Sequence, residues 1–159
     1  MAAVIPGKMT VEVEGDFVVF LIGMRINKPW KLHKWLPVFL AMPRLLKELA
    51  AHPEAGCLGT INGLSVIVQY WRSFEHLEAF AKDTEDPHLE VWRQYWKRVG
   101  KDARSGIWHE TFLVRAGEYE AIYGNMPPTG LGKATTLVPV AESTMARQRL
   151  KAASASPGT

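Results

Sequence analysis

Imidazole is the side chain best suited to proton transfer near neutral pH, and two of the five histidines, His88 and His109, are candidates for that chemistry. His109 lies in the apolar run Gly106–Val114, and an imidazole buried in a strand needs a hydrogen-bonding partner. We therefore place His109 among the residues that line a pocket. His88 directly follows Pro87, so it is either a pocket residue or simply the start of a helix.

Polar side chains follow the first strongly apolar run, Phe17–Met24. Arg25 and Asn27 are two residues apart, so in an extended chain they share one face. Arg25 is a candidate partner for an anion or oxyanion and equally for a salt bridge. Glu110 is expected to pair with Arg72 or Arg25 across the sheet, which would be a structural role.

Aromatic side chains concentrate near the same polar groups. His88 and Trp92 are four residues apart, which places both on one side of a helix. Tryptophans are more often core than catalytic, because aromatic side chains dominate buried area. The candidates for lining a substrate pocket are Tyr70, Trp71, Trp92, Tyr95 and Trp108.

The sequence contains none of the common signatures of metal, phosphate or triad chemistry. It has no HExxH, no CxxC, no Walker loop and no GxSxG elbow. The GLG at Gly130–Gly132 is predicted to be a turn, because no strand-to-helix dinucleotide context surrounds it. We therefore expect no metal site, whereas catalysis without such a motif stays open.

Alternating strand and helix patterns must position these residues. Strands are predicted where β-branched and aromatic residues cluster, and helices where apolar residues recur at three- and four-residue steps. Ser73 is a typical helix N-cap, and Asn62-Gly63 is a strong hairpin signal. Pro43 predicts a kink or a division in the first helix. The predicted strands are Phe17–Met24, Gly56–Asn62, Leu64–Trp71 and Gly106–Val114, and the helical segments are Lys34–Ala50, the segment after Ser73, and Pro87–Val99.

The order strand, helix, strand, strand, helix, strand is the βαββαβ pattern of ferredoxin-like α+β domains. Helices cover only one face of such a sheet. Both faces of Phe17–Met24 are apolar, which implies that both are covered. We therefore expect a homodimer in which two sheets pack face to face.

The two ends of the chain differ in composition. Residues 1–140 are predicted to be one domain, with a further short strand at Tyr119–Tyr123. The Pro- and Gly-rich segment Asn125–Lys133 either covers the pocket or reaches a partner subunit. Residues 141–159 lack core-forming apolar side chains and are expected to be a disordered tail.

Charge and cysteine usage bear on partners and compartment. The net charge is +3, of which residues 141–159 contribute +2 and residues 1–140 only +1. A nearly neutral body does not favour nucleic-acid binding, and we expected no membrane contact. The single cysteine, Cys57, forms no intramolecular disulfide. With no signal peptide evident, a cytoplasmic location is expected.

The chain resembles a bacterial family that is described as monooxygenase-like, after a fungal enzyme of the fumagillin pathway. The resemblance runs from about Gly15 to Val140. It rests on the stretches GDFVVFLIGMRINKPWKLHKWLP, VQYWRSFEHLEAFA, GIWHET and YEAIYGNMPPTGLGKA. The family belongs to the dimeric α/β-barrel superfamily, which implies a homodimer and the same ferredoxin-like fold.

The resemblance implies oxidation of a small apolar or aromatic substrate, without a metal or flavin. His109 or His88 would accept the substrate proton, and Arg25 and Asn27 would stabilise the developing oxyanion. Trp71, Trp92 and Tyr95 would exclude water and orient the substrate.

Two alternatives remain open. Haem-degrading relatives place a histidine ligand in the segment that corresponds to Pro87–Tyr95. The position of that ligand corresponds to Trp92 in this sequence, rather than to His88. A haem protein with His88 or His109 as ligand, of the dehydratase or haem-degrading type, is the first alternative. The second is a dimeric small-molecule-binding module without turnover, because a fold of this type does not determine function.

Overall fold

The described part of the chain contains seven strands, four α-helices whose bounds are given below and a short 3₁₀ helix at Pro53–Ala55. The computed structural model describes residues 2–30, 32–82, 97, 105–140 and 145–155. In chain order the elements are β1 (Ile5–Glu12), β2 (Phe17–Ile26), α1 (Leu32–Ala51), β3 (Cys57–Asn62), β4 (Val66–Trp71), α2 (Phe74–Lys82), β5 (Ser105–Val114), β6 (Tyr123–Met126), α3 (Leu131–Ala134), β7 (Thr136–Pro139) and α4 (Ala146–Ala155). The predicted helical segment Pro87–Val99 lies outside the described residues, except for Lys97, which is helical.

The main sheet has four antiparallel strands in the order β3-β4-β2-β5. This is the strand order of a ferredoxin-like domain, and it confirms the predicted fold. Strand β2 is central because its residues are apolar on both sides, whereas β3 and β5 form the edges. The predicted hairpin between β3 and β4 is present, but its turn lies two residues later than predicted. Asn62 still pairs with Ile67, and the Gly63 N–H donates to the Val66 carbonyl at 2.9 Å, so Leu64 and Ser65 form the turn.

One face of the main sheet, the helix face, carries Val18, Phe20 and Ile22 of β2. Val18 and Trp71 pair across β2 and β4 and pack with Leu49 of α1 and Leu77 of α2. Helix α2 begins where predicted, because the Ser73 hydroxyl accepts from the His76 N–H at 3.4 Å. These contacts close the core at the end of the sheet where β2 begins.

Helix α1 is continuous through Pro37 and Pro43, so the predicted division into two pieces is not found. Both prolines are exposed to solvent. A proline removes one backbone hydrogen bond and leaves a carbonyl without its helical partner. A carbonyl on the solvent side of a helix is accessible to water, and a helix can then continue through a proline.

A second sheet, β6-β1-β7, covers part of the opposite face of the main sheet, the small-sheet face. Val11 of β1, Phe17 of β2 and Leu131 of α3 are buried together there. Strand β1 was not predicted, although Met9, Val11 and Val13 alternate with polar residues as strand residues do. Chain-internal packing therefore covers apolar surface for which we had expected only a partner subunit.

The C-terminal part also differs from expectation. Gly130–Gly132 leads into the single helical turn α3 instead of a simple turn, and the short strand predicted at Tyr119–Tyr123 starts at Tyr123. Residues 146–155, expected to be disordered, form helix α4. Arg149 of α4 forms an ion pair with Glu120, which anchors the helix to the domain. The homodimer stays a prediction.

Candidate functional site

Trp71 and Gln69 form a buried polar pair on the helix face. The Trp71 side chain is fully buried, and its ring centroid lies 5.3 Å from that of Phe80. Its indole Nε1 donates to Gln69 Oε1 at 3.1 Å. Because indole N–H is only a donor, this bond identifies the oxygen of the Gln69 amide and leaves its NH₂ group as the remaining donor. Trp71 is thus part of the core beneath the helix face. This agrees with the expectation that a tryptophan is more often a core residue than a catalytic one.

His109 lies on the same helix face, on the edge strand β5. It pairs with Ile22 across β2, and its ring centroid lies 5.6 Å from that of Phe20 at an angle of 34°. The imidazole is exposed in the described residues, not buried as its apolar neighbours had suggested. Phe20 and Ile22 therefore form an apolar floor beside an accessible proton acceptor.

Thr111 follows His109 by two residues and shares its face. In register, Thr111, Phe20 and Gln69 form one row across the sheet, and His109, Ile22 and Ile67 form the next. Adjacent strands lie about 5 Å apart and residues two apart on a strand about 7 Å. A molecule about 10 Å long could span these two rows. We call the surface formed by His109, Thr111, Phe20, Ile22 and Gln69 the His109 surface.

Trp108 lies on the opposite, small-sheet face. It pairs with Gly23, and a β-carbon at position 23 would lie 2.5 Å from the Trp108 indole. Gly23 thus lets the indole lie flat across the backbone of β2. Trp108 is partly exposed there, and so is Phe112 further along β5 on the same face, with Glu110 between them.

Arg25 and Asn27 also belong to the small-sheet side. Arg25 pairs with Gly106 in the β2–β5 ladder, and a β-carbon at Gly106 would lie 4.0 Å from Asn27 Nδ2. The prediction that the two side chains share a face therefore agrees with this geometry. Both are exposed at the end of β2.

Tyr70 and Tyr123 hold the segment Asn125–Lys133 against the small-sheet face. The Gly132 N–H donates to the Tyr123 hydroxyl at 3.0 Å. The Leu131 N–H bonds to the Tyr70 hydroxyl, whose pKa is raised mainly by burial and also by the nearby Tyr123. This segment packs on its own subunit, on the side of the sheet away from His109.

The predicted site residues therefore divide into two sets. His109 and Trp71 lie on the helix face, whereas Arg25, Asn27, Tyr70 and Trp108 lie on the small-sheet side. A small molecule that contacts His109 is separated from Arg25 by the sheet backbone. The predicted cooperation of His109 with Arg25 and Asn27 at one substrate does not fit this geometry, because alternate residues of a strand point to opposite faces. His88, Trp92 and Tyr95 lie outside the described residues.

Gln69 and Thr111 are the polar residues of the His109 surface that were not among the predicted site residues, and Gln69 left a signal in the sequence. Gln69 is buried in a strand that is otherwise apolar and aromatic, VIVQYW. A polar side chain in such a strand needs a buried partner, and this was the available signal.

Potential metal ligands and the single thiol can be located in the described ranges. Within them no group of three or more His, Cys, Asp or Glu side chains is arranged to hold a metal ion. Burial raises the pKa of the Cys57 thiol, which favours the protonated form. Cys57 packs against the core that contains Trp71. A structural role for this thiol therefore fits best.

Comparison with known proteins identifies relatives at two levels. Monooxygenase af470 of Aspergillus fumigatus is 29% identical over 159 aligned residues, which cover 84% of this chain and 56% of that protein. The chain thus spans little more than half the length of this relative. A crystal structure of aldoxime dehydratase in complex with butyraldoxime superposes with a TM-score of 0.62 and 16% identity, covering 84% of this chain and 41% of that one. At that identity the likeness shows the fold alone.

The family comparison covers the main sheet and its helices. Residues 17–131 match the family described as monooxygenase af470-like. This range contains strands β2 to β5 with α1 and α2, and therefore the whole His109 surface. The chain belongs to the monooxygenase af470-like family.

Proposed function

We propose that this protein catalyses the monooxygenation of a small apolar or aromatic compound by dioxygen at the His109 surface. Membership of the monooxygenase af470-like family is the observation that carries the proposal. The His109 surface supports it, because an accessible imidazole stands beside an apolar floor. Such a surface suits a flat, electron-rich substrate with one acidic C–H or O–H group.

In this proposal the substrate itself supplies the electrons. His109 takes a proton from an activated CH₂ group, and the resulting carbanion reduces dioxygen. One oxygen atom becomes the carbonyl oxygen of the product, and the other leaves in water with the two hydrogens of the CH₂ group. No external reductant is consumed, and no resident cofactor takes part.

The neighbouring polar groups would then position the substrate. Thr111 is the next residue after His109 on the same face of β5. Gln69 has an amide NH₂ group that does not bond to Trp71. Either group can donate to an oxygen that becomes negative as the proton leaves. Arg25 and Asn27 have no place in this step, because they lie on the other side of the sheet.

The test is dioxygen uptake by the purified chain with a panel of phenolic, anthrone-type and terpenoid compounds. With ¹⁸O₂, one labelled atom should appear in the product. His109→Ala should lower the turnover rate by about 10²-fold or more, the usual contribution of a general base. His52→Ala is the matched control, since His52 is also exposed but pairs with Glu54 away from the sheet.

Three outcomes would contradict the proposal. The first is the absence of uptake with every compound, and the second is equal turnover in the His109→Ala and His52→Ala variants. The third is a stoichiometric Soret band on hemin addition that His109→Ala abolishes, which would instead favour the haem alternative.

A further inference from the structure

The first half of α1 and the turn that precedes it expose large apolar side chains. Trp30 is 72% exposed, Leu40 62%, Phe39 39% and Leu36 37%. We call these four residues the α1 patch. Single exposed apolar side chains are normal on protein surfaces, whereas a contiguous group marks an interaction site.

The apolar character of the α1 patch is not required by the packing of α1. The inward side of the helix carries Trp35, Met42, Leu46 and Leu49, which are buried or half-buried. Leu36 and Leu40 are four residues apart on the outer side. Further along the helix the outer positions become polar, with Lys47 and Glu48 exposed. Among the α1 side chains that the structure describes, the exposed large apolar ones thus lie in the N-terminal half of the helix.

Local contacts hold Trp30 at the start of the helix. The Trp35 indole Nε1 donates to the Pro29 carbonyl at 3.2 Å, which ties the Pro29-Trp30 turn to α1. Trp35 also packs edge-to-face on Phe39, with ring centroids 6.4 Å apart. The α1 patch is therefore part of an ordered surface.

The turn between β3 and β4 adds a further exposed apolar residue at this end of the molecule. Leu64 is 90% exposed. The Met24 N–H donates to the Ser65 carbonyl at 3.1 Å, which places the turn beside the end of β2 from which the chain enters α1. Exposed apolar groups thus come from two separate elements at the same end of the sheet.

Positive charge is concentrated in the part of the sequence that contains the α1 patch. Residues 17–47 contain six lysines and arginines and no aspartate or glutamate, whereas the rest of residues 1–140 has a net charge of −5. The prediction of no membrane contact rests on the small net charge of residues 1–140. That sum conceals the uneven distribution of charge along the sequence. Of these cations, Arg25, Lys28 and Lys31 flank Trp30 in sequence, and Lys34 follows in the first turn of α1.

We propose that the α1 patch binds the surface of bilayers that contain anionic lipid, with the excess positive charge of residues 17–47 as the source of the attraction. Exposed Trp, Phe and Leu side chains beside lysines are typical of interfacial helices, which bury their apolar side among headgroups. Nucleic-acid binding would not use the apolar side chains, whereas an anionic bilayer surface accepts both exposed apolar side chains and positive charge. Among the described helices none has the length and hydropathy needed to cross a bilayer, so attachment is peripheral.

The experiment is flotation of the full chain with vesicles of phosphatidylcholine alone or with about 30% phosphatidylserine. The native chain should float only with the anionic vesicles, and binding should fall at about 1 M salt, where the Debye length is about 3 Å. Leu40→Glu should weaken binding at least about tenfold. Changing Lys28, Lys31 and Lys34 together to Gln should weaken it by about fivefold per lysine.

Two controls lie on the opposite side of the molecule, on or beside the small sheet. Ile122→Glu changes an exposed apolar residue, and Lys8→Gln with Arg115→Gln and Lys133→Gln removes three exposed cations. Both should bind as the native chain does. Failure of the native chain to float, or equal losses in the controls, would overturn the proposal. So would a Leu40→Glu effect only on the oligomeric state, which would assign the patch to a second copy of the chain.

Discussion

At the scale of single residues, one hydrogen bond connects the core to the candidate site. Gln69 and Trp71 are buried on the helix face of β4, and the hydrogen bond between them satisfies the indole N–H and the amide oxygen. A buried donor without an acceptor costs more than the bond itself contributes. The orientation of the Gln69 amide within the His109 surface therefore depends on its hydrogen bond to Trp71.

Gln69→Leu should destabilise the protein by about 1 to 3 kcal/mol, because the buried Trp71 N–H loses its acceptor. Urea unfolding followed by circular dichroism measures the change in the free energy of unfolding. The effect of Gln69→Leu should be smaller in a Trp71→Phe background, where no donor is left unpaired. Equal effects in the two backgrounds would show that the hydrogen bond contributes nothing specific.

At the scale of elements, strand alternation explains why the predicted site residues separate. Trp108 and His109 are neighbours in sequence and therefore point to opposite faces of β5. On the small-sheet face, two tyrosine hydroxyls accept the N–H groups at the start of α3. These two bonds attach the Pro- and Gly-rich segment to the main sheet and the small sheet.

Tyr70→Phe should lower the free energy of unfolding by about 1 kcal/mol at neutral pH, because the Leu131 N–H loses its partner. Burial raises the pKa of Tyr70 above that of the unfolded chain. Its contribution to stability is therefore complete below about pH 10 and is lost as the pH rises further.

Chemical denaturation between about pH 9 and 11 tests this second effect. The stability of the native chain should fall more steeply than that of Tyr70→Phe. If the stability of the two proteins falls in parallel with pH, Tyr70 does not account for the loss of stability at alkaline pH.

At the scale of the whole molecule, the small sheet covers only part of its face. Phe17, Val19 and Tyr70 pack against it, whereas Phe112 remains 50% exposed and Trp108 39%. An exposed apolar area on a sheet face is typical of a subunit interface. The expected homodimer would use this uncovered part.

Phe112→Lys should convert the expected dimer to a monomer, because a charge would be buried at the interface. Light scattering coupled to size-exclusion chromatography measures the molar mass. Leu113→Lys is the matched control, since Leu113 is 68% exposed but points to the helix face. A monomeric native chain, or the same shift in both variants, would refute face-to-face pairing on this side.

The sequence by itself determined the elements of the main sheet and its ferredoxin-like order. The elements follow from local signals: the period of apolar residues, the Ser73 cap and the hairpin signal Asn62-Gly63, each of which acts within a few residues. The turn itself forms at Leu64 and Ser65, two residues after that signal. The sequence also determined that neighbours on β5 such as Trp108 and His109 point apart, because that is a property of any extended strand.

Only the tertiary structure decided which face each candidate residue shares with the others. Strand β1 forms a sheet with strands more than a hundred residues away, and its Thr10 hydroxyl donates to the Ala121 carbonyl at 2.8 Å. No local pattern specifies such a partner, because the pairing depends on the assembled domain. That pairing covers one face of the main sheet and leaves His109 with Gln69 on the other. The composition of the candidate site is therefore a consequence of long-range packing.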